Sequence, residues 1–256
     1  MNCLNFRLVL FFMFSLAKDL PYYVYINSVP KCGTHLAMKA IGLILDKPFM
    51  AMSLEDENNS KYKIKNVHGK NLIYGGHARS KNIAKVNDFF QNKPRKDFLV
   101  IRDPRDFIVS YSYWIKKNPL AWPYGSSLEI NKLIDEWIHG VNFSIYDNYN
   151  FFYFDWLANN SKAFVIKFED LIGSQGGGSD KKQLETLIRM MLYLGVDPTY
   201  KLFKHVKDNL FGNTGTFREG KIGVWKKEFN DEQKNLFHEK YLDLLNKLGY
   251  SPNITS

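Results

Sequence analysis

Lys31 stands in Pro30-Lys31-Cys32-Gly33-Thr34-His35, directly after residues 22–29, a run of aromatic and β-branched side chains. Pro30 and Gly33 punctuate the chain there. From Thr34 onward Leu36, Ala37, Ala40, Ile41, Ile44 and Leu45 recur at helical spacing. A strand, a tight turn and a helix in this order aim backbone N–H groups and a helix N-terminus at one spot, and such a spot favours an anion. Lys31 adds a full positive charge, and Thr34 and His35 add donors. Three further segments carry matching chemistry. His77 follows the short β-type run 71–74 and Gly75-Gly76, and imidazole titrates near neutral pH. Arg102 follows residues 98–101, and Ser110 lies eight residues on, about two helical turns. An arginine fork with a hydroxyl makes a receptor for a phosphate monoester. Residues 216–225 set Arg218 and Lys221 among glycines that allow a ligand close to the backbone. Each feature has a structural alternative when read alone. Arg102-Asp103 and Arg105-Asp106 read equally as local ion pairs, His77 as a histidine bonded to a carbonyl, and the last segment as a solvated loop.

The elements that must position these residues follow from pattern. Residues 98–101 (FLVI) form a continuous apolar run, expected of a strand buried on both faces of a parallel sheet. Residues 163–168 supply a third such run. Amphipathic helices are expected over 104–116, 128–138, 183–194 and 231–248, the last closed by Gly249. Residues 173–182 (GSQGGGSDKK) read as a flexible linker. Strands alternating with helices predict an α/β, three-layer fold with a mostly parallel central sheet and a P-loop-like strand–turn–helix at the N-terminus. Ligands in such folds bind beyond the carboxyl ends of the strands, where Lys31, His77 and Arg102 all stand.

Composition sets bounds. The chain has 256 residues, is 45% hydrophobic and carries a net charge of +9, which suits anionic ligands. Its lysines are dispersed, which argues against nucleic acid. Cys3 and Cys32 make no disulfide framework, and the six histidines show no metal-ligand spacing. Residues 8–17, behind Arg7, form an apolar run short of the length a membrane span usually needs and open to three readings: a signal-like segment, a buried strand, or an upstream stretch included by the choice of start site. Only four residues separate it from the first strand, which favours no cleavage. The expected organisation is that segment, 1–17, followed by one domain, 18–256.

Taken together, the four segments resemble the cytosolic-type sulfotransferases that use 3′-phosphoadenosine 5′-phosphosulfate (PAPS), in a bacterial-like variant. Pro30-Lys31-Cys32-Gly33-Thr34-His35 resembles the family's 5′-phosphosulfate loop, and Arg102-Asp103-Pro104-Arg105-Asp106 through Ser110 its 3′-phosphate element. Phe217-Arg218-Glu219-Gly220-Lys221-Ile222-Gly223 resembles its C-terminal nucleotide motif, and Phe168-Glu169-Asp170-Leu171 its YEDL segment. The likeness covers residues 22–250. It implies that PAPS is the co-substrate, that no metal takes part, and that a small-molecule, glycan or lipid acceptor is sulfated in line. It also implies roles: His77 as general base, Lys31 at the leaving phosphate, Cys32, Gly33, Thr34 and His35 around the 5′-phosphate, and Arg102, Ser110, Phe217, Arg218, Glu219 and Gly220 around the 3′-phosphate and its nucleotide. The acceptor pocket is expected from residues 49–65, 114–124 and 142–156.

Four departures stand out. Gly75 replaces a lysine often found two residues before the histidine, Leu36 an adenine-stacking tryptophan, Phe168 a tyrosine, and Glu219 a lysine. Two other readings stay open: a P-loop phosphotransferase using a nucleoside triphosphate with Mg²⁺, and a non-catalytic nucleotide- or glycan-binding protein on the same scaffold. PAPS use fits the cytoplasm, whereas an operative segment 8–17 implies a membrane or secretory setting. Oligomeric state is left open.

Overall fold

In the computed structural model, residues 20–52, 73–120, 122–142, 144–212 and 218–253 are described. The readings made of residues 1–17, of most of 49–65 and of Phe217 lie outside them. The elements run β1 (Tyr23–Ser28), α1 (Thr34–Leu45), β2 (Phe49–Met52), β3 (Ile73–Gly76), α2 (Ile83–Phe89), β4 (Arg95–Ile101), α3 (Pro104–Lys117), α4 (Pro123–Ser127), α5 (Ile130–His139), α6 (Ile145–Tyr149), α7 (Asp155–Asn159), β5 (Phe164–Lys167), α8 (Phe168–Leu171), α9 (Asp180–Leu194), α10 (Tyr200–Leu210), α11 (Trp225–Glu228) and α12 (Asp231–Leu248). A π-helical turn, Asn150–Phe154, joins α6 to α7.

The five strands form one sheet of order β2-β3-β1-β4-β5, every described pair parallel. Alternation along the strands divides the core into layers. Val24, Ile26, Phe98, Val100 and Ile166 pack under α1, α9 and α10 on one face. Tyr23, Tyr25 and Leu99 meet Val86, Phe90 and Trp156 on the other, where Ile101 joins α3, α5 and α12. Helices therefore cover both faces, as expected. The chain leaves β1 through α1 over one face and leaves β4 through α3 over the other. The cleft between β1 and β4 is thus the switch point of the sheet, open at the strands' carboxyl ends.

Local chemistry explains the helix ends. Pro104 opens α3 and the Asp103 carboxylate accepts from Arg105 N at 2.9 Å. Asn230 and Gln233 form a reciprocal capping box on α12, and Gly249 closes it in the left-handed region.

The short helices α2, α4, α6, α7, α8 and α11 were not foreseen, and three further differences from expectation bear on the core. β2 was not foreseen, and four residues carry too little pattern to announce it. Nor was α10, whose apolar residues Leu202, Phe203, Val206 and Leu210 join the α1 core but are diluted by Lys201, Lys204 and Lys207. The glycine-rich stretch is not a linker. Gly176 is buried, its carbonyl accepts from Ile222 N at 3.0 Å, and a Cβ there would lie 2.5 Å from the Gly220 carbonyl and 2.3 Å from Ile172 Cγ1. It is a platform on which the 218–225 segment is laid. Gly176→Ala should therefore cost about 1–3 kcal/mol through overpacking, read as a lower denaturant midpoint at unchanged slope. An unchanged midpoint would mean that the two segments are not tightly apposed.

Candidate functional site

Where the switch point opens lies a cavity of about 310 Å³. Lys31, Gly33, Thr34, His35, His77, Arg102, Ser110, Arg218, Glu219 and Gly220 all line it, together with Leu36, Tyr111, Trp114, Phe152, Phe168 and Lys221. Of the described residues given individual cofactor or catalytic roles by sequence, only Cys32 does not; of the three segments expected to form the acceptor pocket, the described lining takes Trp114 and Phe152. Its side chain is fully buried behind the wall, 3.8 Å from the Tyr149 hydroxyl, and its N–H is given to Val29 O at 3.2 Å. Burial pushes the thiol up to about 12, so it is an inert filler that shapes the turn.

The Lys31 turn is held in unusual backbone geometry. Lys31 itself has φ 64°, in the left-handed region that few non-glycine residues enter. Gly33 has φ 102°, and a Cβ on it would lie 2.6 Å from the Phe168 ring, so both conformation and space demand glycine. Gly33 also begins α1 with no side-chain cap, and Gly33, Thr34 and His35 bring the helix N-terminus to the cavity wall. Lys31 shares this space with other cations. Burial first, then Arg102, Arg218 and Lys117, bring its pKa down to about 8.

His77 is oriented by its neighbours. Its Nδ1 lies 3.0 Å from the Ser28 carbonyl, which can only accept, so Nδ1 carries the proton and Nε2 keeps the free lone pair. No described residue bonds Nε2. Burial pushes the imidazole pKa down to about 4, the charges of His35 and Lys31 add to that, and the Ser28 carbonyl opposes it. Asn27, a residue missed in the sequence, secures this arrangement. It accepts from Ala78 N at 2.8 Å and donates to Ala78 O at 3.0 Å and Phe152 O at 3.2 Å. One buried amide thus fastens the residue after His77 to the π-helical turn that supplies Phe152 to the cavity.

The Arg102–Asp106 segment separates into distinct tasks. The local ion pair that forms is Arg105 with Asp103, at 2.9 and 2.6 Å, rather than Arg102 with Asp103 or Arg105 with Asp106, and the Arg105 guanidinium lies 4.1 Å from the Trp225 ring centre. Arg102 does not join them. It packs 4.3 Å over Phe168, donates Nη2 to Lys221 O at 2.6 Å and leaves its buried Nε without a partner. Asp106 accepts from Gly223 N at 2.7 Å and Trp225 N at 3.0 Å, stapling the C-terminal segment to α3. Glu169 accepts from Asp103 N at 2.8 Å and the Tyr250 hydroxyl at 2.9 Å, and burial raises its pKa to about 7. Arg218 lies 4.3 Å over the Tyr113 ring and donates to Glu219 at 2.8 Å, so Glu219 faces the site rather than solvent alone. Among the described residues no cluster could hold a metal ion, and no helix is long and apolar enough to cross a membrane.

The geometry of His77 makes a test of its own. Its ring ¹⁵N shifts should show the neutral, Nδ1-protonated tautomer from pH 8 down to pH 5, with protonation only near pH 4. Because the folded pKa lies below the unfolded value of about 6.5, the stability this residue confers is complete above pH 6.5 and is lost as pH falls to about 4. A ring that titrates near 6.5 in the folded protein would contradict the assignment.

No family model matches the chain. Among curated proteins it is similar to the 3-beta-hydroxysteroid sulfotransferase of Cavia porcellus, 27% identical over 256 residues that cover 88% of this chain and 83% of that one. Sulfotransferase 6B1 of Danio rerio is 25% identical over 176 residues, 66% of this chain and 57% of that protein's length. Two solved structures share the fold at a TM-score of 0.63. One is a mouse sulfotransferase complexed with PAP, 19% identical and covering 90% of this chain and 88% of that one. The other is a retinol dehydratase in complex with androsterone and inactive cofactor PAP, 14% identical and covering 90% and 82%. Over most of its length the chain is thus similar in sequence to named sulfotransferases, and it shares the fold of solved structures that hold PAP.

Proposed function

We propose that the cavity binds PAPS and a small acceptor, and that His77 and Lys31 carry the transfer of a sulfuryl group to the acceptor's hydroxyl or amine. The observation that carries this reading is the meeting, in one cavity, of a neutral imidazole whose Nε2 no described residue bonds and three cations, Lys31, Arg102 and Arg218, set against a single described lining carboxylate, Glu219. The donor set fits a bisphosphorylated nucleotide: Arg102 Nε is buried and unpartnered, α1 begins with no side-chain cap, and burial, with repulsion from Arg102 and Arg218 added to it, lowers the Lys31 pKa. PAPS, when bound, supplies the sulfuryl group and a phosphate leaving group.

The chain's own residues divide the remaining work. Thr34, His35 and the neighbouring amides would hold the 5′-phosphate, and Arg102, Ser110 and Arg218 the 3′-phosphate. His77 Nε2 would accept the acceptor's proton, while Lys31 would stabilise charge on the departing phosphate; such placed charges and positioning supply most of the rate. Trp114 and Phe152 give the cavity aromatic walls, which suit a phenol or another apolar alcohol, the class to which the Cavia porcellus relative's named substrate belongs.

Thermal denaturation of the full chain with adenosine 3′,5′-bisphosphate (PAP), and separately with ATP and Mg²⁺, tests the site. PAP at 100 times its Kd should stabilise by about 2.7 kcal/mol, and Arg102→Ala should abolish the shift. His77→Ala should keep PAP binding yet lower sulfuryl transfer from labelled PAPS by about 10²–10⁴-fold. A shift with ATP and Mg²⁺ alone would return the phosphotransferase reading; PAP binding with no transfer to a panel of phenols and alcohols would favour a non-catalytic protein.

The Lys31 shift adds a pH signature. Its ammonium is charged below about pH 8 and neutral above, so kcat/KM for PAPS should fall as pH rises through 8, with slope one. A plateau extending to pH 10 would remove Lys31 from cofactor binding.

A further inference from the structure

Among the described residues the cavity wall carries one carboxylate, and it lies against one of the two arginines that face the ligand. Glu219 Oε1 takes a bond from Arg218 Nη1 at 2.8 Å, while Oε2 stands 3.8 Å from Lys227 Nζ. Arg218 is further fixed by its 4.3 Å stack on Tyr113, whose hydroxyl donates to Glu228 at 3.1 Å. Arg102 differs. Its nearest carboxylate, Asp106, is 3.9 Å away with both oxygens already accepting backbone N–H groups, and its Nε is free. The two guanidinium groups are therefore unequal: one is open and the other is already held by an internal anion.

We propose that Glu219 is a built-in competitor for the ligand's 3′-phosphate, lowering affinity for the bisphosphate nucleotide and hastening its departure. The inference rests on the PAPS-site reading and deepens it. A phosphate that approaches Arg218 must displace the carboxylate or lie beside it, and bonds between ionised partners of this kind are the strong ones. Because Glu219 is the next residue in the chain, it stays at high effective concentration and can reclaim Arg218 whenever the phosphate loosens. Lys227 offers the displaced carboxylate a second cation close at hand, so the exchange has two defined ends. A ligand that lacks the 3′-phosphate meets none of this competition.

The discriminating experiment is calorimetric titration of wild type, Glu219→Gln and Lys227→Ala with PAP and with AMP, which has only the 5′-phosphate. Glu219→Gln is close in shape and one-third exposed, and should fold as wild type. It should tighten PAP about tenfold, slow PAP dissociation in stopped flow by a similar factor, and leave AMP unchanged. Lys227→Ala, by removing the alternative partner, should weaken PAP a few-fold with AMP unchanged, and should have no such effect in the Glu219→Gln background. If PAP binds but the PAP-to-AMP affinity ratio stays the same or falls in Glu219→Gln, the competitor role is overturned and the site reading survives. If wild type and Glu219→Gln bind no PAP, the site reading fails and the proposal fails with it.

Discussion

Positive charge confined in a partly desolvated cavity is the constraint around which this structure is organised. Lys31, Arg102 and Arg218 share one small space with Lys117 nearby, and the cost of that arrangement is visible in the lowered Lys31 pKa. Like charges held together without water repel, so a chain will keep them there only if other contacts fix the backbone rigidly. The left-handed Lys31, the glycine wedged against Phe168 and the capped start of α3 are those contacts.

The acidic residues near the cavity show how this is done without neutralising it. Asp106 spends both oxygens on backbone amides of the C-terminal segment, and Glu169 spends its own on Asp103 N and Tyr250. Asp103 is occupied by Arg105 and by the α3 cap. These carboxylates act as structural staples, binding loop to loop behind the wall, and do not neutralise Lys31 or Arg102 in front of it. Glu219 alone among the cavity-lining residues breaks that rule, because it contacts a site cation directly.

Much of this was legible in sequence because a parallel sheet brings every strand's carboxyl end to one edge. Lys31, His77 and Arg102 each follow an apolar run, so their meeting needed no knowledge of side-chain contacts. The residues that hold them were harder to read. Asn27 looks like strand filler until Ala78 and Phe152 arrive from 51 and 125 residues away. Asp106 looks like half of a local ion pair, although its true partners are Gly223 and Trp225. Gly176 reads as linker because composition reports flexibility of the free chain, whereas its packing against Gly220 depends on the fold. Periodicity and punctuation announce local elements; these positions are defined by contacts between distant ones.

Gly75 shows how such a contact can alter chemistry. The family pattern often carries a lysine there, and a Cβ built at Gly75 would lie 2.3 Å from Met38 Sδ and 2.8 Å from Met38 Cγ. Met38 is buried in α1 beneath the sheet, and its side chain fills the space that a side chain at position 75 would enter. A lysine there would require Met38 to take another rotamer or be replaced. The packing of Met38 against β3 and a second ammonium beside His77 thus compete for the same space. With His35 held towards its neutral form by burial and by Lys31, the charge that develops on the proposed leaving phosphate falls chiefly to Lys31 and the amides at the start of α1. Those are the groups whose placement the strained turn determines, which is why a residue with a positive φ is tolerated at that point.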